Sequence, residues 1–287
     1  LVGAISVSEA TNWAIPSWTF AATAHAAAAS AANFRFVDVD RSTWRLDSTR
    51  EYKPGEGFVL VLPFGAGLEN FNWNHNQEVV IDGAASLGST LPKLENLPAK
   101  TSIIFSLHAT KVFGVGEGAI AVFGDVNRAN LFRRWTNFGF SGERVSITSG
   151  INAKMPEITA GLLRLQLEQW DFVLNRWCEA RKLMNAMAES AKIRTFQPIH
   201  DQVAPYFIAI LGDKVERNMV EQQLTSNGIA SRRWWSQGCH RMAAFSNIPK
   251  EQLSVTESLA DQYLGLPFFP EISEPQVERI FGALAKR

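Results

Sequence analysis

The stretch Phe105-Ser106-Leu107-His108-Ala109-Thr110-Lys111-Val112-Phe113-Gly114-Val115-Gly116-Glu117-Gly118 decides how this chain is read. It opens at the end of an apolar run (residues 102–107), passes through polar residues and finishes in a glycine-rich turn. A short apolar run bounded by turn residues reads as a strand covered on both faces. In open α/β sheets, ligands bind beyond the carboxyl ends of the strands. A lysine delivered there can be desolvated, which frees its amine to condense with a carbonyl group. The plainer alternative is a solvated loop lysine beside a tight turn, since most lysines are exposed.

Working outward, residues 35–40, 57–63, 78–82 and 118–123 are also near-continuous apolar runs, separated by polar or helical segments. That alternation predicts an α/β domain with a mostly parallel sheet flanked by helices. The alanine-rich residues 19–32 predict a helix. Pro156 suits the first helical position, with Glu157 beside the positive end of the dipole. Leu163, Leu167, Trp170, Leu174 and Trp177 then follow at intervals of four, three, four and three, one stripe of a long helix reaching about Ser190. After Gln202 the pattern changes. Strands are expected at 203–211 and 229–235, and helices at 214–226, 256–264 and 274–285. The expected organisation is a large domain over 1–175 and a smaller α+β domain over 176–287.

Three more segments can carry chemistry. Asp82 closes the apolar run Val79-Val80-Ile81 and is followed by Gly83-Ala84-Ala85. A carboxylate at a strand end, with small neighbours that let a ring approach, can pair with a protonated pyridine nitrogen; a helix-capping Asp is the alternative. Phe20, in Pro16-Ser17-Trp18-Thr19-Phe20, stands at a helix start where an aromatic can stack on a planar group or pack in the core. Asn152 and Lys154 precede the helix at Pro156, where free backbone N–H groups can hold an anion, or where Asn serves as a turn residue.

The order of these segments resembles the DegT/DnrJ/StrS family of pyridoxal 5'-phosphate (PLP) aminotransferases that make nucleotide-linked amino sugars, with the type I aminotransferase fold. Pro16–Phe20, Asp82–Ala84, Ser106–Lys111, Gly116–Gly118 and Gly150–Glu157 are similar to family blocks. So are Arg232-Arg233-Trp234-Trp235 through His240, and Leu266–Pro270. The resemblance implies that Lys111 carries the cofactor and moves the proton, and that Asp82 keeps the pyridine nitrogen protonated. It implies that Phe20 stacks on the ring and Ser106 binds the phosphate. Asn152 would reach the phosphate held by a neighbouring subunit, in a homodimer with shared active sites. His108, Trp234, Trp235 and His240 would line the sugar site. The implied partners are a nucleotide-linked keto sugar and a glutamate-like amino-acid donor. The chain departs from the family pattern in two places. It starts after the position of the family's phosphate-binding helix start, so the N-terminal part of the large domain is expected to be missing. Ala85 stands where Gln or His is common. Both departures suit a second reading, a scaffold or regulatory descendant of the fold that binds PLP weakly or not at all.

Composition narrows the remaining classes. The 287 residues are 46% hydrophobic and 20% charged, the profile of a globular protein. Formal net charge is zero, so no global field favours nucleic acid or an anionic membrane. Residues 13–34 lack Asp, Glu, Lys and Arg, but Ala, Ser and Thr dominate them and Pro16 and His25 interrupt them. They read as a loop followed by a buried helix, with no membrane span. Cys178 and Cys239 form neither a disulfide framework nor a metal-type spacing, which fits a reducing cytoplasm and no metal. Gly114-x-Gly116-x-Gly118 lacks the spacing of a dinucleotide-binding loop.

Overall fold

The protein is seen in a computed structural model that describes residues 1–47, 50–68, 76–196 and 203–285. A short helix α1 (Val2–Ser6) leads into a strand, β1 (Asn12–Pro16), and then into helix α2 (Ala21–Ala29) and strand β2 (Asn33–Val37). Strands β3 (Glu56–Val61), β4 (Val79–Asp82), β5 (Thr101–Ser106) and β6 (Ala119–Phe123) complete a six-stranded sheet of order β2-β1-β3-β4-β5-β6. The first five strands in that order pair in parallel, and β6 closes one edge antiparallel to β5. Every residue of β3 and β4 is buried, which is why these segments are apolar without alternation.

The two edges of the sheet differ chemically. At the amino-terminal edge, Glu56 pairs with Arg35 and Glu78 with Arg128. Burial alone would raise the Glu56 carboxyl. The Arg35 guanidinium and the Lys53 amide outweigh it and hold that carboxyl below its usual range. At the carboxyl edge, Asp82 accepts from a hydroxyl and an amide and has no arginine partner among the described residues.

Helix α3 (Val126–Trp135) follows β6, capped by the Asp125 side chain, which accepts from the Arg128 amide. A two-stranded ribbon, β7 (Phe140–Ser141) and β8 (Glu143–Ser146), precedes helices α4 (Glu157–Glu168) and α5 (Trp170–Ser190). The single long helix expected here is thus two. The apolar stripe keeps its period across the junction, but Gln169 leaves helical geometry (φ −102, ψ 26). Along α5, Trp170, Leu174 and Trp177 pack on Val112, Phe113 and Val203, while Ala180, Met184 and Ala188 pack into a second core. The 175/176 boundary expected from sequence falls inside this helix.

The second core lies under an antiparallel sheet of order β11-β10-β9, built from β9 (Arg194–Phe196), β10 (Phe207–Ile210) and β11 (Tyr263–Leu266). Helices α6 (Lys214–Ser226), α7 (Ser254–Gln262) and α8 (Glu274–Ala285) accompany it. Three expectations are corrected by this arrangement. Residues 229–235 make only an isolated bridge, Arg232 to Gly265. The helix expected over 256–264 ends at Gln262, and Tyr263 turns extended to begin β11. The loop expected before α2 contains β1, an internal strand whose Pro16 is its last residue. Among the described residues, no helix is long and apolar enough to cross a membrane, and no cluster of His, Cys, Asp or Glu is suited to a metal ion.

Candidate active site at the carboxyl edge of the sheet

Asp82 ends β4 and is 7% exposed. Its Oδ2 accepts a hydrogen bond from the Thr23 hydroxyl at 2.6 Å, and its Oδ1 accepts from the Ala84 amide at 3.2 Å. Thr19 and Thr23 hydroxyls lie 2.7 Å apart. Since Thr23 spends its proton on Asp82, Thr19 must be the donor to Thr23. A relay of two hydroxyls from the start of α2 therefore points at one carboxylate oxygen. Each carboxylate oxygen has a second lone pair, so Asp82 can still accept from another group. Sequence reading missed both threonines. The available signal was their i, i+4 spacing, which puts two hydroxyls on one side of a helix start.

Lys111 sits in a loop tied across its base. The Leu107 amide donates to Gly118 O (2.9 Å), Ala109 to Gly116 O (2.8 Å) and Val115 to Leu107 O (2.9 Å). Gly114 is required by close approach: a Cβ there would lie 2.6 Å from His108 O and 2.8 Å from Ala109 O. Beyond the lysine, Phe113 is fully buried and stacks on Trp170 at 4.4 Å between centroids. The loop is thus anchored against α5, with the lysine projecting from it. Its Nζ donates to the Tyr206 hydroxyl at 2.7 Å. Tyr206 contacts Phe64 and Trp234 edge-on. Phe64 follows β3 in the left-handed region (φ 52), a sparsely populated conformation for a bulky residue. Nothing in the sequence flagged Tyr206, which falls in a run read only as a strand.

The other expected site residues fall at different distances from this cluster. Phe20 is the N-cap of α2 and is 56% exposed, an open aromatic face next to the Thr19–Thr23 relay. Ser106 ends β5, where its Oγ accepts from the His108 amide at 3.2 Å and keeps its own proton to donate. His108 is exposed, with Nδ1 2.9 Å from the Thr110 hydroxyl. Asn152 is exposed and bridges to Asn137 through the backbone. Trp234 stands at the surface against Tyr206. Trp235 is buried, stacked on Phe64 at 4.1 Å and edge-on to Trp18 at 5.2 Å. His240 is also buried. Its Nδ1 lies 2.7 Å from the Ser17 hydroxyl, and its Nε2 lies 3.4 Å from Glu257. Burial lowers the His240 pKa, with the Glu257 carboxylate opposing. Trp235 therefore packs in the core beneath the large sheet, His240 ties the Ser17 turn to α7, and Trp234 is the member of the group facing outward.

Sheet register fixes which way these groups point. Asp82 pairs with Ile104, and Ser106 lies two residues further along β5. Paired neighbours in a sheet share a face, as do residues two apart on one strand. Asp82, Ile104 and Ser106 therefore share a face with Ala121 and Ala119 of β6. That face borders a cleft of about 1210 Å³, which Ile104, Ala119, Ala121, Gly118, Phe132 and the 148–151 segment help to line. The cleft adjoins the polar cluster. Neither Lys111 nor Asp82 lines it.

This donor set fits a planar pyridine aldehyde carrying a phosphate: a primary amine, a buried carboxylate with spare acceptor capacity, an uncovered aromatic face and a hydroxyl at a neighbouring strand end. The sequence profile of the DegT/DnrJ/EryC1/StrS aminotransferase family matches residues 2–51 and 67–285. The chain belongs to this family. Enzymes of the DegT/DnrJ/EryC1/StrS family are PLP-dependent sugar aminotransferases, and PLP is the cofactor this site fits. Protein Rv3402c of Mycobacterium tuberculosis is 28% identical over 94% of this chain and 70% of its own length. The dTDP-4-amino-4,6-dideoxy-D-glucose transaminase of Shigella dysenteriae is 26% identical over 93% of this chain and 77% of its own. Among solved structures, DesI in the presence of its TDP-sugar product superposes with a TM-score of 0.84 at 25% identity, covering 99% of this chain and 76% of that one.

Proposed function

We propose that this family member moves an amino group from a glutamate-like donor to a keto sugar attached to a nucleotide. The observation that carries this reading is the Lys111 amine, fixed on an anchored loop at the same sheet edge as the hydroxyl-supported Asp82 carboxylate. Bound PLP supplies an aldehyde that carries the amino group and a pyridinium that spreads the charge of the carbon losing its proton.

The protein's own residues supply the rest. Lys111 anchors the cofactor and then serves as the one base and acid that shifts the proton between donor, cofactor and sugar carbon. Asp82 keeps a proton on the ring nitrogen, and Thr23 and Ala84 hold the carboxylate for that task. Phe20 covers one ring face, and Ser106 donates its hydroxyl proton to the phosphate. Asn152, exposed on its segment, reaches the phosphate in a second copy of the chain, which makes the working unit a homodimer. His108 and Trp234 are placed to meet the sugar. Trp235 and His240 act from behind it, as packing that fixes Trp234 and the Pro16–Phe20 segment.

The test is transfer itself. PLP-loaded protein is incubated with glutamate and a panel of nucleotide-linked keto sugars, and the amino sugar is read by mass. Lys111→Ala abolishes transfer, and Asp82→Ala lowers it by at least about 100-fold while the fold is retained. Near-normal turnover by Asp82→Ala contradicts the assigned role. Ala85 is buried and offers no polar side chain two residues beyond the Gly83 that follows Asp82, which favours, as the second reading, a scaffold or regulatory descendant of the fold that binds PLP weakly or not at all. Loaded wild-type protein that transfers no amino group to any sugar in the panel supports that reading.

A further inference from the structure

We infer that Tyr206 is a positioning residue for the Lys111 amine and that Arg181 of α5 sets Tyr206 in place. The inference rests on the proposed role of Lys111 and adds to it a part that no motif in the chain announces.

Three observations carry it. First, the Tyr206 hydroxyl is 2.7 Å from Lys111 Nζ, and the same amine lies 5.1 Å from the Tyr206 ring centroid. The hydroxyl thus offers the amine a hydrogen-bond acceptor, with the ring set back behind the oxygen. A phenol can accept from an ammonium group and donate to a free amine, so it can guide Lys111 in either protonation state. Second, the ring has little freedom. Phe64 stands edge-on at 5.8 Å and Trp234 edge-on at 5.1 Å. Third, its backbone is clamped. Arg181 Nη2 donates to Tyr206 O at 2.6 Å and to Ala204 O at 2.9 Å. The Arg181 guanidinium also stacks against Phe268 and Phe207, at 4.8 and 5.7 Å. Burial pulls its pKa down to about 10, which leaves it charged at neutral pH. An arginine held by two carbonyls and two rings, with no carboxylate partner among the described residues, has a positioning use. It fixes the segment entering β10 so that the tyrosine hydroxyl meets the lysine.

The arrangement links the two cores. Lys111 rides on the loop after β5, Tyr206 precedes β10, and α5 touches both. A shift of the β10 sheet relative to α5 would therefore reach the amine.

The experiment compares wild type, Tyr206→Phe and Tyr206→His. In protein without cofactor, the rate of Lys111 acylation by an amine-reactive ester is read by peptide mass. In protein loaded with PLP, the pH midpoint of the visible band is read, with kcat and KM beside it. Tyr206→Phe keeps the ring packing, so its melting temperature stays near wild type. The amine loses its tether, and acylation speeds up by about fivefold, the scale of one lost hydrogen bond. The band midpoint moves, and kcat falls about tenfold with KM nearly unchanged, as for a contact that matters only at the reacting atoms. Tyr206→His restores part of each effect, because its ring keeps a donor and an acceptor. Arg181→Met gives the same changes as Tyr206→Phe in weaker form, and serves as the second variant if Tyr206→Phe does not fold. Acylation rate and band midpoint both unchanged in a folded Tyr206→Phe overturn the inference. A wild-type protein that develops no visible band with PLP defeats the proposed function instead, and the acylation arm remains readable in that case.

Discussion

Replacing Thr23 by Val removes a hydroxyl and keeps the shape of the side chain, so it isolates the support of Asp82. Thr23 donates to a carboxylate oxygen at 2.6 Å in a buried site and accepts from Thr19 at 2.7 Å. The first bond is to a charged group and contributes about 1.5–3 kcal/mol, while the second is neutral and contributes about 1 kcal/mol. Asp82 keeps the Ala84 amide, so the carboxylate is weakened and not stranded, and a loss of about 2.5–4 kcal/mol is expected for Thr23→Val. The assay is urea unfolding, at conditions where tryptophan fluorescence and far-UV circular dichroism give coincident transitions. A double-mutant cycle with Asp82→Ala separates the contact from general effects on α2. If the relay acts through Asp82, the coupling energy is about 1.5–3 kcal/mol. Coupling below about 0.5 kcal/mol, the level seen for independent sites, refutes the relay.

Other regions make separate demands. His240 has a pKa lowered from its usual 6.5 by burial, so below that value the unfolded chain binds the extra proton first and stability falls with falling pH. His240→Gln should flatten the stability slope just below pH 6.5, and an unchanged slope argues against this assignment. Trp235→Ala empties a stacked, buried site and should cost about 3–5 kcal/mol in urea unfolding, while Trp234→Ala costs roughly half as much or less; equal losses would contradict their different burial. Gly114→Ala places a methyl group against His108 O and Ala109 O. It should lower the melting temperature and weaken PLP uptake about tenfold, because the lysine loop must shift to admit it. Normal uptake would mean that the loop is not held as described.

The parts of the fold legible in the sequence were those whose local signals agree with their surroundings. Strands β3 to β6 could be read because both faces of the inner ones are covered, and α6 and α8 because their boundaries carry ordinary capping and turn residues. Strand β1 was hidden for two reasons: it ends in Pro16, and it runs into an alanine-rich helix whose composition dominates the window. The Gln169 break was invisible because the apolar stripe continues through it in phase. Tyr263–Leu266 was absorbed into the preceding helix because four residues are too few to establish a period of two. The site was legible where its residues form contiguous blocks, as in Ser106–Lys111. The supporting groups were not. Thr23 meets Asp82 across 59 residues, and Tyr206 meets Lys111 across 95. Contacts so distant in sequence leave no trace in local spacing.

The most direct test of the central claim, that the Lys111 amine carries the cofactor, is covalent trapping. Protein incubated with PLP is reduced with borohydride, digested and mapped by mass. The account predicts one phosphopyridoxyl group on the peptide containing Lys111, and none in Lys111→Ala. Label on other lysines, or none at all in a folded protein that shows no visible band, would contradict it.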